Sequence, residues 1–211
     1  MNGDVHKYID QLIPERSEFF QGMEKYAEEN NVPIMESTGI ETLLQLLRIQ
    51  QPKSILEVGA AIGYSALRMA DALPSTRIVT IERDEERYTR AYAYINEAQK
   101  NEQIQLIYGD ALEVEDKVSP LAPYDVIFID AAKGQYQRFF DIYSKYLSNN
   151  GIIITDNVLF KGLVCEANIE NRRVRSLVRK INDYNKWIMS HPEYHTVILP
   201  VGDGVAISKK R

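Results

Sequence analysis

The segment Ser54-Ile55-Leu56-Glu57-Val58-Gly59-Ala60-Ala61-Ile62-Gly63-Tyr64-Ser65 decides the fold. SILEV is an apolar run of strand length, and from about Ser65 to Leu73 the apolar positions take helical spacing. The glycines between them let backbone pass close to a ligand and turn into a helix N-terminus. A plain tight turn explains the loop about as well. The spacing Gly59-x-x-x-Gly63 does not match G-x-G-x-x-G, which weakens a nicotinamide or flavin reading.

Downstream, the alternation repeats: RIVTI, a helix from Asp84 to Lys100, IQLIY, a short helix after Asp110, YDVIFI, a helix around Tyr136 to Leu147, and GIIIT. This rhythm predicts a parallel sheet with helices on both faces. The end differs. A helix from about Asn171 to Met189 leads to YHTVILP, a Gly202-Asp203-Gly204 turn and VAISKK, which read as two antiparallel strands. Upstream, Val5, Ile9, Leu12 and Ile13, and again Ile40, Leu43, Leu44 and Leu47, keep helical spacing, with Pro14 and Pro33 as punctuation. The expectation is an α/β chain of one domain, 1–211: N-terminal helices over 1–50 and a binding and catalytic core over 51–211.

The composition narrows the class. At 211 residues and 45% hydrophobic content there is enough for one sizeable core. No apolar run approaches the length of a membrane span and the first residues are too acidic for a signal peptide, so a soluble, cytoplasmic protein is expected. The lone Cys165 excludes an internal disulfide and reads as a small buried hydrophobe. The three histidines are scattered without zinc-type spacing. A net charge of -5 argues against coating nucleic acid by bulk electrostatics.

In open parallel sheets, ligands sit beyond the carboxyl ends of the strands. Glu82 ends the second strand where an acid can accept from both ribose hydroxyls of a nucleoside, though an exposed strand-end charge reads equally simply. Gly109-Asp110-Ala111 follows the third strand, where an adenine edge would lie. Asp130 and Lys133 follow the fourth, in FIDAAK, and Asp156-Asn157 the fifth.

LEVGAAIGYSA, TIERD, YGDA, FIDAAK, TDNVL and GDGVAISKK resemble the class I S-adenosylmethionine-dependent, metal-dependent O-methyltransferases of the catechol O-methyltransferase-like type. The resemblance covers nearly the whole chain. It implies the Rossmann-like seven-stranded methyltransferase sheet, mostly parallel with a C-terminal antiparallel hairpin. It also implies S-adenosylmethionine contacts at Met35 in NVPIM, Glu57, Gly59, Gly63, Tyr64, Ser65, Glu82, Asp110, Ala111 and Asp130. Adjacent strands place Asp130, Asp156 and Asn157 at one edge, and two carboxylates with an amide oxygen are hard ligands. The family's matching residues hold Mg2+, with Mn2+ the other expected metal. Asp130 and Lys133 are the expected catalytic residues, Lys133 as base or oxyanion holder.

Such a metal suits an acceptor with two neighbouring oxygens, a catechol or phenylpropanoid-type molecule or 5-hydroxyuridine. NRRVRSLVRK, 171–180, holds five basic residues and no acid, with Val174, Leu177, Val178, Ile181 and Ile188 as an apolar stripe. Arg172, Arg175 and Arg179 share the outward face, a candidate phosphate-contacting strip or simply a solvated one. NVPIM, DNVLFKGLV and this helix resemble the bacterial members that methylate tRNA at the wobble uridine, which implies the tRNA anticodon region as partner. A non-catalytic nucleoside-binding or RNA-binding protein on the same scaffold is the remaining alternative. The family also implies a homodimer through the N-terminal helices. Leu43, Leu44, Leu46 and Leu47 suit that and suit burial in the chain equally.

Overall fold

The computed structural model describes residues 3–211. Seven strands form one sheet in the order β3-β2-β1-β4-β5-β7-β6. They are β1 Ser54–Val58, β2 Arg77–Glu82, β3 Ile104–Tyr108, β4 Tyr124–Ile129, β5 Leu147–Thr155, β6 Tyr194–Leu199 and β7 Val205–Lys210. The first five are parallel, and β7 pairs antiparallel with both β5 and β6. This is the Rossmann-like methyltransferase sheet with its terminal hairpin. The fifth strand starts four residues earlier than GIIIT, at Leu147.

Period-two alternation sends neighbouring strand residues to opposite faces, so fully apolar strands need cover on both. Ile55, Val126, Phe128, Ile152 and Ile154 meet α2 Glu18–Glu29, α3 Ser37–Gln50 and α4 Tyr64–Ala72 on one face, along with Ile95 of α5 Glu85–Glu97. Leu56, Val58, Ile127, Ile129 and Ile153 meet the other layer, with the short α6 Glu115–Val118, α7 Tyr136–Tyr143 and α8 Arg172–Met189. Each such side chain removed from water contributes about 1.5–3 kcal/mol, so the two layers dominate stability. Asn171 caps α8 as its position predicts, its Oδ1 accepting from Arg173 N at 2.9 Å and Val174 N at 3.2 Å.

Three expectations about apolar residues are decided here. Leu43, Leu44 and Leu47 are buried within the chain and Leu46 packs half-buried beside them, so they belong to the core. On α1 Gly3–Leu12 the stripe instead faces out: Val5, Ile9 and Leu12 are exposed. Cys165 is not buried as expected; it lies exposed at the end of the 3-10 segment Phe160–Cys165, which contributes nothing fully buried to the core. Among the described residues no helix is long and apolar enough to cross a membrane.

Register positions the site. Val58 pairs with Ile129, and Ile129 with Thr155, so the residues after β1, β4 and β5 emerge side by side. Because β7 runs the other way, the Gly202–Gly204 turn that precedes it returns to this same edge, opposite Thr155.

Candidate active site

A cavity of about 900 Å³ opens along that edge, large enough for a nucleoside-sized ligand with an acceptor beside it. One end is built by the loop after β1. Gly59 N and Ala60 N donate to Ile81 O at 3.1 and 2.9 Å, folding the loop over β2. Gly59 has φ of +105°, and a Cβ there would stand 2.0 Å from Asp130 O. Only glycine lets the β1 and β4 loops touch, which seats the fourth strand's acid beside the first strand's loop.

Glu82 closes this end. Its Oε2 accepts from Ala61 N at 2.7 Å, and Oε1 accepts from Arg83 N and Asp84 N, both at 2.9 Å. Three backbone donors fix the carboxylate, and a carboxylate retains acceptor capacity beyond them for ligand hydroxyls. Asp110 accepts from Leu112 N at 2.9 Å and from Arg83 Nη1 at 3.2 Å. Met35, Gly59, Tyr64, Ser65, Glu82, Asp110, Ala111 and Asp130 all line the cavity. Glu57 and Gly63 are not among its lining residues. Glu57 is fully buried, its two oxygens accepting from Ser65 Oγ and Thr80 Oγ1, each at 2.5 Å. Burial pushes its carboxyl up to about 7 despite those bonds, with help from the charges of Asp130 and Glu82.

The other end gathers the acids. Asp130, Lys133, Asp156, Asn157 and Asp203 share the wall. Lys133 Nζ donates to Asn157 Oδ1, and Asn157 Nδ2 donates to Asp156 Oδ2 at 3.0 Å. Burial, and then the charge of Asp130, push Asp156 up to about 8. Asp130 is pushed up to about 6, by burial first, against the pull of Lys133 and with a further push from Asp203. Asp156, raised by the charge of Asp130, and Asp130, raised by that of Asp203, lie where a positive charge is favourable. The donors are all hard oxygens: two carboxylates and an amide. That set fits a dication such as Mg2+ or Mn2+. Among the described residues no three His, Cys, Asp or Glu side chains are grouped to hold a metal ion; beside the two carboxylates the remaining hard oxygen is the amide of Asn157.

Two contributors escaped the sequence reading. Asp203 was legible only as a turn residue, because nothing local reveals that an antiparallel last strand returns its turn to the site. Its main-chain carbonyl accepts from Leu159 N at 2.8 Å and Phe160 N at 3.2 Å, and its Oδ1 from Lys161 N at 3.2 Å. It thereby holds three consecutive left-handed residues, Phe160, Lys161 and Gly162, at φ of +46°, +55° and +79°. Phe160 is the second contributor; it lines the cavity with its ring 5.8 Å from Lys133 Nζ. On α8, Arg172, Arg175 and Arg179 are exposed, as expected. Arg175 Nη1 also donates to Ile169 O at 3.1 Å, tying down the loop before the helix. Lys180 comes nearer the site: its Nζ lies 3.5 Å from where a Cβ on Gly134, at the cavity wall, would stand.

Comparison with known proteins adds to this geometry. The family model described as O-methyltransferase matches residues 10–211. Catechol O-methyltransferase of Niastella koreensis is 33% identical over 178 residues, covering 80% of this chain and 80% of its own. A Staphylococcus aureus protein assigned as a caffeoyl-CoA O-methyltransferase superposes with a TM-score of 0.88 at 38% identity, covering 99% of this chain and 96% of that one. The O-methyltransferase from Bacillus cereus, solved in complex with SAH, gives 0.84 at 25% identity, with 99% and 97% covered.

Proposed function

The chain belongs to the O-methyltransferase family, and from that premise we propose that it transfers the methyl group of S-adenosylmethionine to the 5-hydroxyl of 5-hydroxyuridine at the tRNA wobble position, giving 5-methoxyuridine. The observation that carries the chemistry is the shared wall of Asp130, Lys133, Asp156 and Asn157 in the same cavity that the Gly59 loop and Glu82 line. Relatives bound to SAH support the methyl donor. In this reading Glu82 accepts from the ribose hydroxyls, and Asp110 and Ala111 border the adenine. Met35, Gly59, Tyr64, Ser65 and Asp130 line the remainder, while Glu57 acts from behind the wall by holding Ser65.

Asp130, Asp156 and Asn157 Oδ1 are the residues that would hold Mg2+ or Mn2+, which when bound supplies Lewis acidity and a template for two adjacent acceptor oxygens. Lys133 Nζ, which donates to Asn157 Oδ1, is the group that would meet the acceptor hydroxyl. As ammonium it steadies the developing oxyanion, and as free amine it takes the proton. Phe160, its ring 5.8 Å from Lys133 Nζ, walls the acceptor side and excludes water from the in-line approach of oxygen to methyl.

The tRNA reading is supported by the exposed basic face of α8 and by Lys180 beside Gly134, which carries that face up to the cavity lip. Likeness to a catechol O-methyltransferase favours a second acceptor class, small catechol or phenylpropanoid-type molecules. Tritium transfer from labelled S-adenosylmethionine to tRNA from a strain lacking the protein, run against catechol with and without EDTA, separates the readings. Counts in tRNA that vanish with EDTA and return with Mg2+ are expected; label in catechol alone would overturn the tRNA assignment, and EDTA-resistant transfer the metal. A cytoplasmic homodimer through α1 and α3 belongs to the same reading. It is supported by the exposed Val5, Tyr8, Leu12 and Ile49 beside a largely apolar groove, and light scattering tests it.

A further inference from the structure

Away from the acid wall, a set of linked charges lies where the N-terminal helices meet α4. Arg16, in the α1–α2 connection, grips both oxygens of Glu24 on α2, Nε to Oε1 and Nη2 to Oε2, each at 2.8 Å. Glu24 Oε1 also accepts from the Tyr64 hydroxyl at 2.5 Å. That hydroxyl in turn accepts from Arg68 Nη1 at 2.7 Å, and Arg68 Nη2 donates to Glu41 Oε1 on α3 at 2.5 Å. Two guanidiniums, two carboxylates and one phenol thus run through the α1–α2 connection, α2, α4 and α3 with charges balanced. Arg68 is only 7% exposed and lies over the rings of Phe20 and Tyr64, 5.2 and 5.6 Å from their centroids.

Burying ions costs desolvation, and an apolar filling of equal shape would stabilise as well, so such a chain is better suited to fixing register than to adding stability. The register it fixes is that of the cavity. Tyr64 opens α4 directly after the glycine loop and lines the cavity, yet its hydroxyl is committed to Glu24 and Arg68. Burial raises the Glu24 carboxyl, but the hydrogen bonds from Arg16 and Tyr64 and the charges of Arg16 and Arg68 outweigh it and hold the group below its ordinary value. Glu24 stays an anion and a strong acceptor. The α2–α3 connection, carried on the helix that Glu24 anchors, supplies Pro33, Ile34, Met35 and Glu36 to the opposite cavity wall.

We propose that Tyr64 is the joint between the N-terminal helices and the cofactor loop, and that Glu24 and Arg68 are positioning residues that hold Pro33 to Glu36 over S-adenosylmethionine. The proposal rests on the reading that the cavity takes that donor. With the joint cut, donor binding must also order the covering segment, which weakens affinity and leaves the chemical step, set at the far wall, intact.

The test measures KM for S-adenosylmethionine, kcat, and S-adenosylhomocysteine affinity by calorimetry. Glu24→Ala is expected to raise KM and the dissociation constant about tenfold, the size of the one charge-assisted hydrogen bond that joins Glu24 to Tyr64, with kcat held within about threefold. Glu24→Gln, which keeps an oxygen acceptor for Tyr64, should recover most of the loss. Tyr64→Phe cuts the same joint while leaving Glu24 with Arg16 and Arg68 with Glu41, so it keeps the test open should Glu24→Ala fail to fold. Combined, Glu24→Ala and Tyr64→Phe should be no worse than the worse single variant. Unchanged KM and affinity in the folded variants, with kcat falling only as folded protein is lost, would overturn the proposal alone. A wild-type protein that binds no S-adenosylhomocysteine would overturn the donor reading and the proposal together.

Discussion

Lys133 is the side chain on which the proposed chemistry turns most directly, because its Nζ donates to the Asn157 amide oxygen beside Asp156. Lys133→Ala should lower kcat by about 10²-fold or more, the usual scale for removing an acid or base, while S-adenosylhomocysteine affinity by calorimetry stays at the wild-type value. Full turnover in that variant would remove Lys133 from the mechanism. Gly59 carries a different kind of necessity. Its φ of +105° and the 2.0 Å approach of a hypothetical Cβ to Asp130 O mean that Gly59→Ala must part the β1 and β4 loops. Loss of soluble folded protein, or of donor binding where it folds, is the expected result on purification. The glycine was legible in the sequence as a loop former. That its partner is the backbone of Asp130, and not only a ligand, follows from the β1–β4 register.

Among elements, α8 and the hairpin turn bear on the proposed function. The apolar stripe of α8 does point inward, with Val178, Ile181 and Ile188 buried, and its arginines outward, so the periodicity placed this helix correctly. Arg172→Glu with Arg179→Glu should raise KM for tRNA about tenfold or more and flatten its salt dependence, with catechol turnover and melting temperature unchanged because both side chains are exposed. Equal effects on both acceptors would remove the strip from RNA recognition. The Gly202–Gly204 turn read as local punctuation, yet it clamps the Phe160–Gly162 bend from across the sheet. At Gly204, φ is +90° and a Cβ would meet Leu159 Cγ at 2.3 Å. Gly204→Ala should therefore displace that bend and lower kcat while circular dichroism stays native. Asp203 and Phe160 eluded the sequence because only the antiparallel pairing of β5 with β7 brings their segments together.

Taken as one molecule, the protein holds Glu57, Asp130 and Asp156 with carboxyls raised to about 7, 6 and 8, with burial the leading cause in each. Their unfolded values lie near about 4, so the folded chain binds protons more tightly than the unfolded one. The stability they contribute is complete below about pH 4 and is lost as the pH rises through about 6 to 8. The melting temperature of metal-free protein should accordingly fall by about 5 °C or more between about pH 5 and pH 8.5. Millimolar Mg2+ should restore it at the upper end by binding the ionised pair; a flat profile, or no response to Mg2+, would count against the shared site. The layered α/β sheet, its final hairpin and the acids at the strand ends were determined by the sequence itself, since strand period, turn residues and strand-end position are local properties. Which of those groups meet was decided by tertiary structure: Asp203 reaches the site, Glu57 withdraws behind it, and Glu24 locks to Tyr64 from another helix. Register and packing across the sheet set such contacts between segments remote in the chain, and no local pattern encodes them.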